Sequence, residues 1–259
     1  MFTRSSLVKY AIQRAGDISD QFYLTSHENN MLKKFIQTNG DKILVSAMLS
    51  EEKRWREFFP AMKYTANRVS EKDLKKYWGK YLISVNFKGP IPESPALDAI
   101  QFLEFLENQN HFGSTCKAAI EYDITINKML LFQFKTDIKY YNYNSIARHA
   151  KQYSVQVNPS FIVKKFDSEL NGINQDGLFH GFYKDFRSGL VKSMQMNQVT
   201  REIIKDITTK SGQSLFEIIN MVNAKVNNEK NCINFITQLI NGGIIVVFDV
   251  AGQQSCLKN

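Results

Sequence analysis

Apolar residues recur at three- and four-residue intervals through the first eighty positions, with Phe22, Met31, Leu32, Phe35 and Ile36 setting the rhythm. That spacing predicts helix. Ser50 ahead of EEKRWREFF reads as an N-cap followed by an acidic first turn, and Pro60 as the stop. SEKDLKKYWGKY repeats the pattern from Ser70, setting Tyr77 and Trp78 among lysines; such interleaving either grips a nucleic-acid backbone or marks an amphipathic helix that buries its tryptophan. KGPIPESP, residues 88–95, gathers three of the five prolines and predicts a boundary. Ser94 then caps, Pro95 opens, and Ala99, Phe102, Leu103 and Leu106 line one face of a further helix.

From Lys117 the pattern reads as alternation. KAAIEYDITI, a turn at Asn127–Lys128 and MLLFQFKTDIKYY predict two strands of a hairpin. NSIARHAKQYSVQ reads as a helix capped by Asn144, PSFIVKKFD as another strand, and LNGINQDGLFHGFYKDFRSG as a glycine-rich linker. Three helical patterns, NQVTREIIKDITT, SLFEIINMVNAKV and NCINFITQLINGG, precede the apolar strand IIVVFDV, with Gly242 and Gly243 supplying a left-handed cap. Helix, helix, helix and strand is the winged-helix order. The expected architecture is α/β: a helical region over 1–88, a mixed-sheet core over 89–185 and a winged-helix-like domain over 186–259.

Composition sharpens this outline modestly. A 259-residue chain with 43% hydrophobic residues can bury a core. No apolar run approaches the ~20 residues that cross a bilayer, and the first sixteen residues are too interrupted by charge for a secretory core. A cytoplasmic protein is the expectation. Cys116, Cys232 and Cys256 and the four histidines fall in no metal-ligand or disulfide spacing. A net charge of +8 favours a polyanionic partner.

One cluster carries chemistry. If QFK is a strand, Gln133 and Lys135 share a face, and Asp123 on the adjoining strand lies beside them. A carboxylate and an amide oxygen can hold a hard divalent cation while a lysine positions water or offsets charge on a phosphoryl group. Asp98, at the start of the preceding helix, supplies a second carboxylate; Glu121 competes with Asp123, and Glu93 with Asp98.

An acidic helix, EYD, QFK ten positions later, then helix and strand resemble the PD-(D/E)xK nuclease superfamily, and within it the TnsA-like endonuclease subunits of heteromeric transposases. The resemblance runs from about Pro92 to the C-terminus. It implies a restriction-endonuclease-like core that nicks DNA at transposon ends with Mg²⁺. Asp98, Asp123 and Gln133 would be metal ligands and Lys135 would stand beside the attacking water. It further implies a transposase subunit and an AAA-type ATPase as partners. No proline precedes Asp123, the helix carboxylate is Asp where Glu is usual, and residues 1–88 do not resemble the family's N-terminal arm.

Two other classes fit the same residues. A non-catalytic nucleic-acid-binding protein, either a nucleoprotein or a winged-helix adaptor, is supported by the charge and by aromatics among lysines. A defence or restriction-type nuclease fits the same motif. Within the tail, EKNCINFITQLING presents few cations to phosphate, which favours protein contact over base readout.

Overall fold

The computed structural model describes residues 5–14, 23–85, 94–109, 112–135, 138–166, 179–210, 212–226 and 228–249. The chain divides into two compact units, Met1–Asn127 and Lys128–Asn259, in place of the three regions expected from the sequence. Burial accounts for the difference. Trp55, Phe58, Leu74 and Trp78 share one core with Phe102, Leu106 and Ile120, so the N-terminal helices and the helix after Pro95 cannot be separate bodies. Tyr143, Ile146, Val155 and Tyr183 likewise share a core with Ile203, Ile218, Ile236 and Val247, which joins the tail helices to the segments before them.

The first unit is helical: α1 (Ser5–Gln13), α2 (Ser26–Phe58), a 3₁₀ turn (Phe59–Met62), the one-turn α3 (Lys63–Ala66), α4 (Glu71–Val85), α5 (Pro95–Glu107) and most of α6 (Ser114–Leu131). α2 opens on a capping box between Thr25 and Glu28 and runs without a break through Ser50, because the Glu, Lys and Arg that follow Ser50 are good helix formers. Pro60 ends the α-helix where expected, inside the 3₁₀ turn. Ser70 Oγ accepts from Asp73 N at 3.1 Å and Ser94 Oγ from Leu97 N at 3.2 Å, as the sequence suggested for both caps. Trp78 is buried, with its ring 4.7 Å from that of Phe58, so it belongs to the core and not to a nucleic-acid surface.

α6 overturns the hairpin. KAAIEYDITI and the start of MLLFQFK form one helix of 18 residues instead of two strands. Ala118, Ala119, Ile120, Tyr122, Asp123, Ile124, Thr125, Asn127 and Met129 are all buried. A helix covered on nearly every side loses the narrow apolar stripe that identifies it, and the residue types left over mimic alternation. Gln133 and Lys135 follow on an irregular, exposed segment.

The second unit contains α7 (Tyr143–Ile146), a 3₁₀ segment (Ala147–Gln152), β1 (Tyr153–Val157), β2 (Ile162–Lys165), β3 (Phe179–Lys184), β4 (Val191–Met196), α8 (Gln198–Thr209), α9 (Leu215–Val226), α10 (Glu229–Gly242) and β5 (Ile245–Asp249). The strands make two antiparallel sheets, β1–β5 and β2–β3–β4. NSIARHAKQYSVQ splits into one helical turn, the 3₁₀ segment and a strand, and its cap is Asn142 rather than Asn144. β3 occupies the second half of the expected linker; Phe22, residues 86–93 and residues 167–178 lie outside the described residues. The three tail helices and final strand appear in the expected order, with Gly243 at φ 80° closing α10. β5 finds its partner in β1, far earlier in the chain, at Val155↔Val247.

Candidate functional site

Asp98 sits in the first turn of α5, where Ser94 and Pro95 start the helix. Its carboxylate is buried and takes a bidentate pair from Arg54 of α2, Nε to Oδ2 at 3.0 Å and Nη2 to Oδ1 at 2.8 Å. The guanidinium also lies 5.2 Å from the Trp78 ring centroid. Burial pushes the Asp98 carboxyl above its ordinary range, and the Arg54 hydrogen bonds and charge oppose that shift without cancelling it. Both oxygens are engaged in tying α5 to α2.

Asp123 fastens a different joint. Its Oδ2 accepts from Thr65 N at 2.7 Å and its Oδ1 from Tyr64 N at 3.3 Å, satisfying orphan donors at the start of α3. One helical turn later, Asn127 Nδ2 donates to Ala61 O at 2.9 Å and to Asp123 O at 2.8 Å. Desolvation raises the Asp123 carboxyl to about 6, and the hydrogen bonds from Thr65 and Tyr64 only partly offset it. Gln133 and Lys135 belong to the second unit and are exposed. Glu121 is half-buried on α6, and Glu93 lies outside the described residues. Asp98 and Asp123 are thus held by separate structural partners, and the strand that was to carry Gln133 and Lys135 is absent. Among the described residues no group of three or more His, Cys, Asp or Glu side chains is placed to hold a metal ion. Nor is any helix among them long and apolar enough to cross a membrane.

The second unit offers a concave surface instead. After β1 the chain turns at Asn158, whose Nδ2 donates to Gly243 O at 2.8 Å and to Lys184 O at 3.0 Å. Asn158 Oδ1 accepts from Ser160 N and Oγ at 2.9 and 2.7 Å, and Ser160 Oγ in turn accepts from Lys184 N at 2.8 Å. This buried polar hub joins the two sheets and sets Pro159 and Phe161 at the mouth of a cleft of about 500 Å³. Val157 and Val163 contribute further apolar wall, and α8 forms the facing side through Arg201, Ile204, Lys205 and Thr208. Phe161 fills the space over Gly181, where a Cβ would meet its ring at 2.5 Å.

α8 presents this side because Asn197 caps it, its side chain accepting from Thr200 N, and because Ile203 and Ile207 commit the opposite stripe to the core. Arg201 and Lys205 then fall one turn apart. The Arg201 guanidinium lies 4.1 Å from the Phe179 ring centroid, which steadies it at the cleft. Sequence reasoning passed over these residues. The available signal was TREIIKD, a cationic i, i+4 pair on the polar side of a strongly amphipathic helix.

A second, more open concavity of about 460 Å³ is lined by Arg148, His149, Lys151 and Phe216, with Lys151 Nζ 5.0 Å from the Phe216 ring centroid. No known protein-family model and no curated protein matches the chain.

Proposed function

We propose that this chain is a non-catalytic docking protein whose second unit binds a polypeptide segment in the cleft between α8 and the β1–β2 corner. The observation that supports it is the make-up of that cleft: apolar walls from Val157, Pro159, Phe161 and Val163, with Arg201 and Lys205 on one side. β2, an outer strand of its sheet, forms one flank, so an extended segment can run beside it with an apolar side chain inserted and acidic neighbours turned toward the cations. Few cations on α10 agree with protein contact in place of base readout.

The nuclease reading rests on its sequence motif, since the helix α6 takes the place of the strand that the motif required. A transposase partner and Mg²⁺ chemistry remain proposals of that reading. The basic concavity around Arg148, Lys151 and Phe216 supports a second one, single-stranded nucleic acid stacked on the exposed ring.

A single experiment separates them. Fluorescent peptides pairing Leu or Phe with Asp and Glu, and single-stranded and duplex DNA, are titrated with the full chain, and supercoiled plasmid is incubated with it and Mg²⁺. Peptide binding weakened at least tenfold by Arg201→Glu/Lys205→Glu is the expected result. DNA binding lost in Arg148→Glu/Lys151→Glu, with no peptide binding, would transfer the function to the basic concavity. Plasmid nicking abolished by Lys135→Ala, an exposed position, would reinstate the nuclease.

A further inference from the structure

The two concavities of the second unit lie off the two ends of one strand. The cleft is bounded by Val157 and Asn158 where β1 ends and by Thr208 and Thr209 where α8 ends. The concavity of about 460 Å³ is bounded by Lys151 and Gln152, just ahead of β1, and by Phe216 in the first turn of α9. Between them the connection from α8 to α9 returns along β1: Val155 N donates to Gln213 O at 2.9 Å, and Ser154 is bridged to Ser214. Ser154 pairs with Phe248 of β5 on its other side, so both hollows follow the β1 edge that β5 leaves uncovered. At about 3.3 Å per residue, the strand from Gln152 to Val157 separates them by about 17 Å.

Charge along this edge is of one sign. Arg201 and Lys205 line the cleft, Lys210 is exposed on the connection, and Arg148 and Lys151 line the concavity. Among the described residues none of these five cations forms an ion pair. The carboxylates of α8 and α9 are committed elsewhere: Asp206 pairs with Lys225 at 2.8 Å, Glu202 accepts from Gln198 Nε2 at 2.8 Å, and Glu217 accepts from Ser214 N at 2.8 Å. Residues 128–259 hold sixteen Lys and Arg against ten Asp and Glu, a net +6 of the chain's +8, so the excess charge belongs to the unit that carries both hollows. A row of unmet cations that runs on past the cleft calls for an anionic ligand longer than the cleft itself.

We infer that the polypeptide segment bound in the cleft continues along this edge of β1 and sets a second acidic stretch, about five residues from its apolar anchor, against Lys210, Lys151 and Arg148. The inference rests on the polypeptide reading of the cleft and defines that partner further, as an extended chain with two acidic clusters. Stacked bases suit the concavity less well. Phe216 is the sole Phe, Tyr or Trp among its lining residues, and Lys151 Nζ already lies 5.0 Å from that ring's centroid, whereas a stacking platform offers free rings to successive bases. Once the anchor is seated, the second contact is intramolecular, so affinity rises without any tighter fit in the cleft.

The test titrates the full chain with short and long fluorescent peptides. The short one carries Leu flanked by Asp and Glu; the long ones add about four Asp or Glu beginning about five residues from that Leu, before it in one version and after it in the other. One long version is expected to bind at least tenfold tighter than the short peptide. Arg148→Glu/Lys151→Glu, at two exposed positions, removes this gain and leaves the short peptide's affinity unchanged, while Arg201→Glu/Lys205→Glu weakens both. Lys72→Glu/Lys76→Glu in the first unit makes the same change in net charge and leaves the gain in place. Long peptides that bind no tighter than a short one that does bind would overturn the inference and leave the cleft reading standing; no binding by any peptide would sink both. The inference also fails if the gain survives Arg148→Glu/Lys151→Glu, if it vanishes equally in Lys72→Glu/Lys76→Glu, or if single-stranded DNA occupies the concavity and the long peptide does not displace it.

Discussion

Each unit holds a carboxylate out of contact with solvent, Asp123 amid more protein than Asp185, and the two behave oppositely. Asp123 and Asp185 are both 2% exposed. Asp123 meets only neutral donors, the backbone N–H groups of Tyr64 and Thr65, and its carboxyl rises to about 6. Asp185, at the β3–β4 turn, accepts from Arg187 Nε and Nη2 at 2.9 Å each and from Lys192 Nζ at 2.6 Å. Burial pushes that carboxyl up as well, yet the two cations outweigh it and hold the group well below the usual carboxylate range. Burial sets the size of the electrostatic problem, and the charge of the partner sets its sign. Asp98 shows an intermediate balance, since its one guanidinium does not fully offset burial.

The largest effect is expected at Asp98. Asp98→Ala leaves Arg54, whose side chain is 12% exposed, as an uncompensated buried charge, and should lower unfolding free energy by about 4 kcal/mol in urea titrations. If the loss is under about 1 kcal/mol, solvent reaches the pair and its burial is not what governs it.

Asp123 comes next, through pH. Its folded-state pKa lies above the unfolded one, so the folded chain binds the extra proton between about pH 4 and 6, and stability falls as pH rises through that window. With an ordinary value of 3.8 and a folded value of about 6, the loss is about 3 kcal/mol. The change in unfolding free energy between pH 4 and 7, from chemical denaturation, should differ between wild type and Asp123→Asn by that amount; parallel curves would remove the contrast.

Asp185 gives the smallest change and the opposite sign. Its depressed pKa supplies stability that is present above the unfolded value near 4 and is lost as pH falls further. Asp185→Asn should lose about 2 kcal/mol at neutral pH, the worth of hydrogen bonds to a charged group discounted for the partial exposure of Arg187 and Lys192. It should also flatten the acid limb of the melting curve.

Legibility in the sequence follows the same physics. Elements with one dry side and one wet side were readable: α5 with its Ser94 cap and its stripe of Ala99, Phe102, Leu103 and Leu106, the tail helices α8 to α10, and the glycine that closes α10. α6 was not, because Asp123 and Asn127 are buried polar residues with partners some sixty positions away. A polar residue that caps a distant helix and one that holds a metal look alike until that partner is known. The cleft escaped for a related reason. Val157, Phe161 and Arg201 come from three elements and meet only because Asn158 joins two sheets.

That single amide has a mechanical consequence. Asn158 grips the carbonyl of Gly243, between α10 and β5, with one hydrogen and the carbonyl of Lys184, at the close of β3, with the other. The corner beside it carries Pro159 and Phe161, so a guest that levers the cleft open strains both attachments together. The wall should therefore yield as a stiff lever and not as a hinged flap, admitting slender chains and resisting bulky ones.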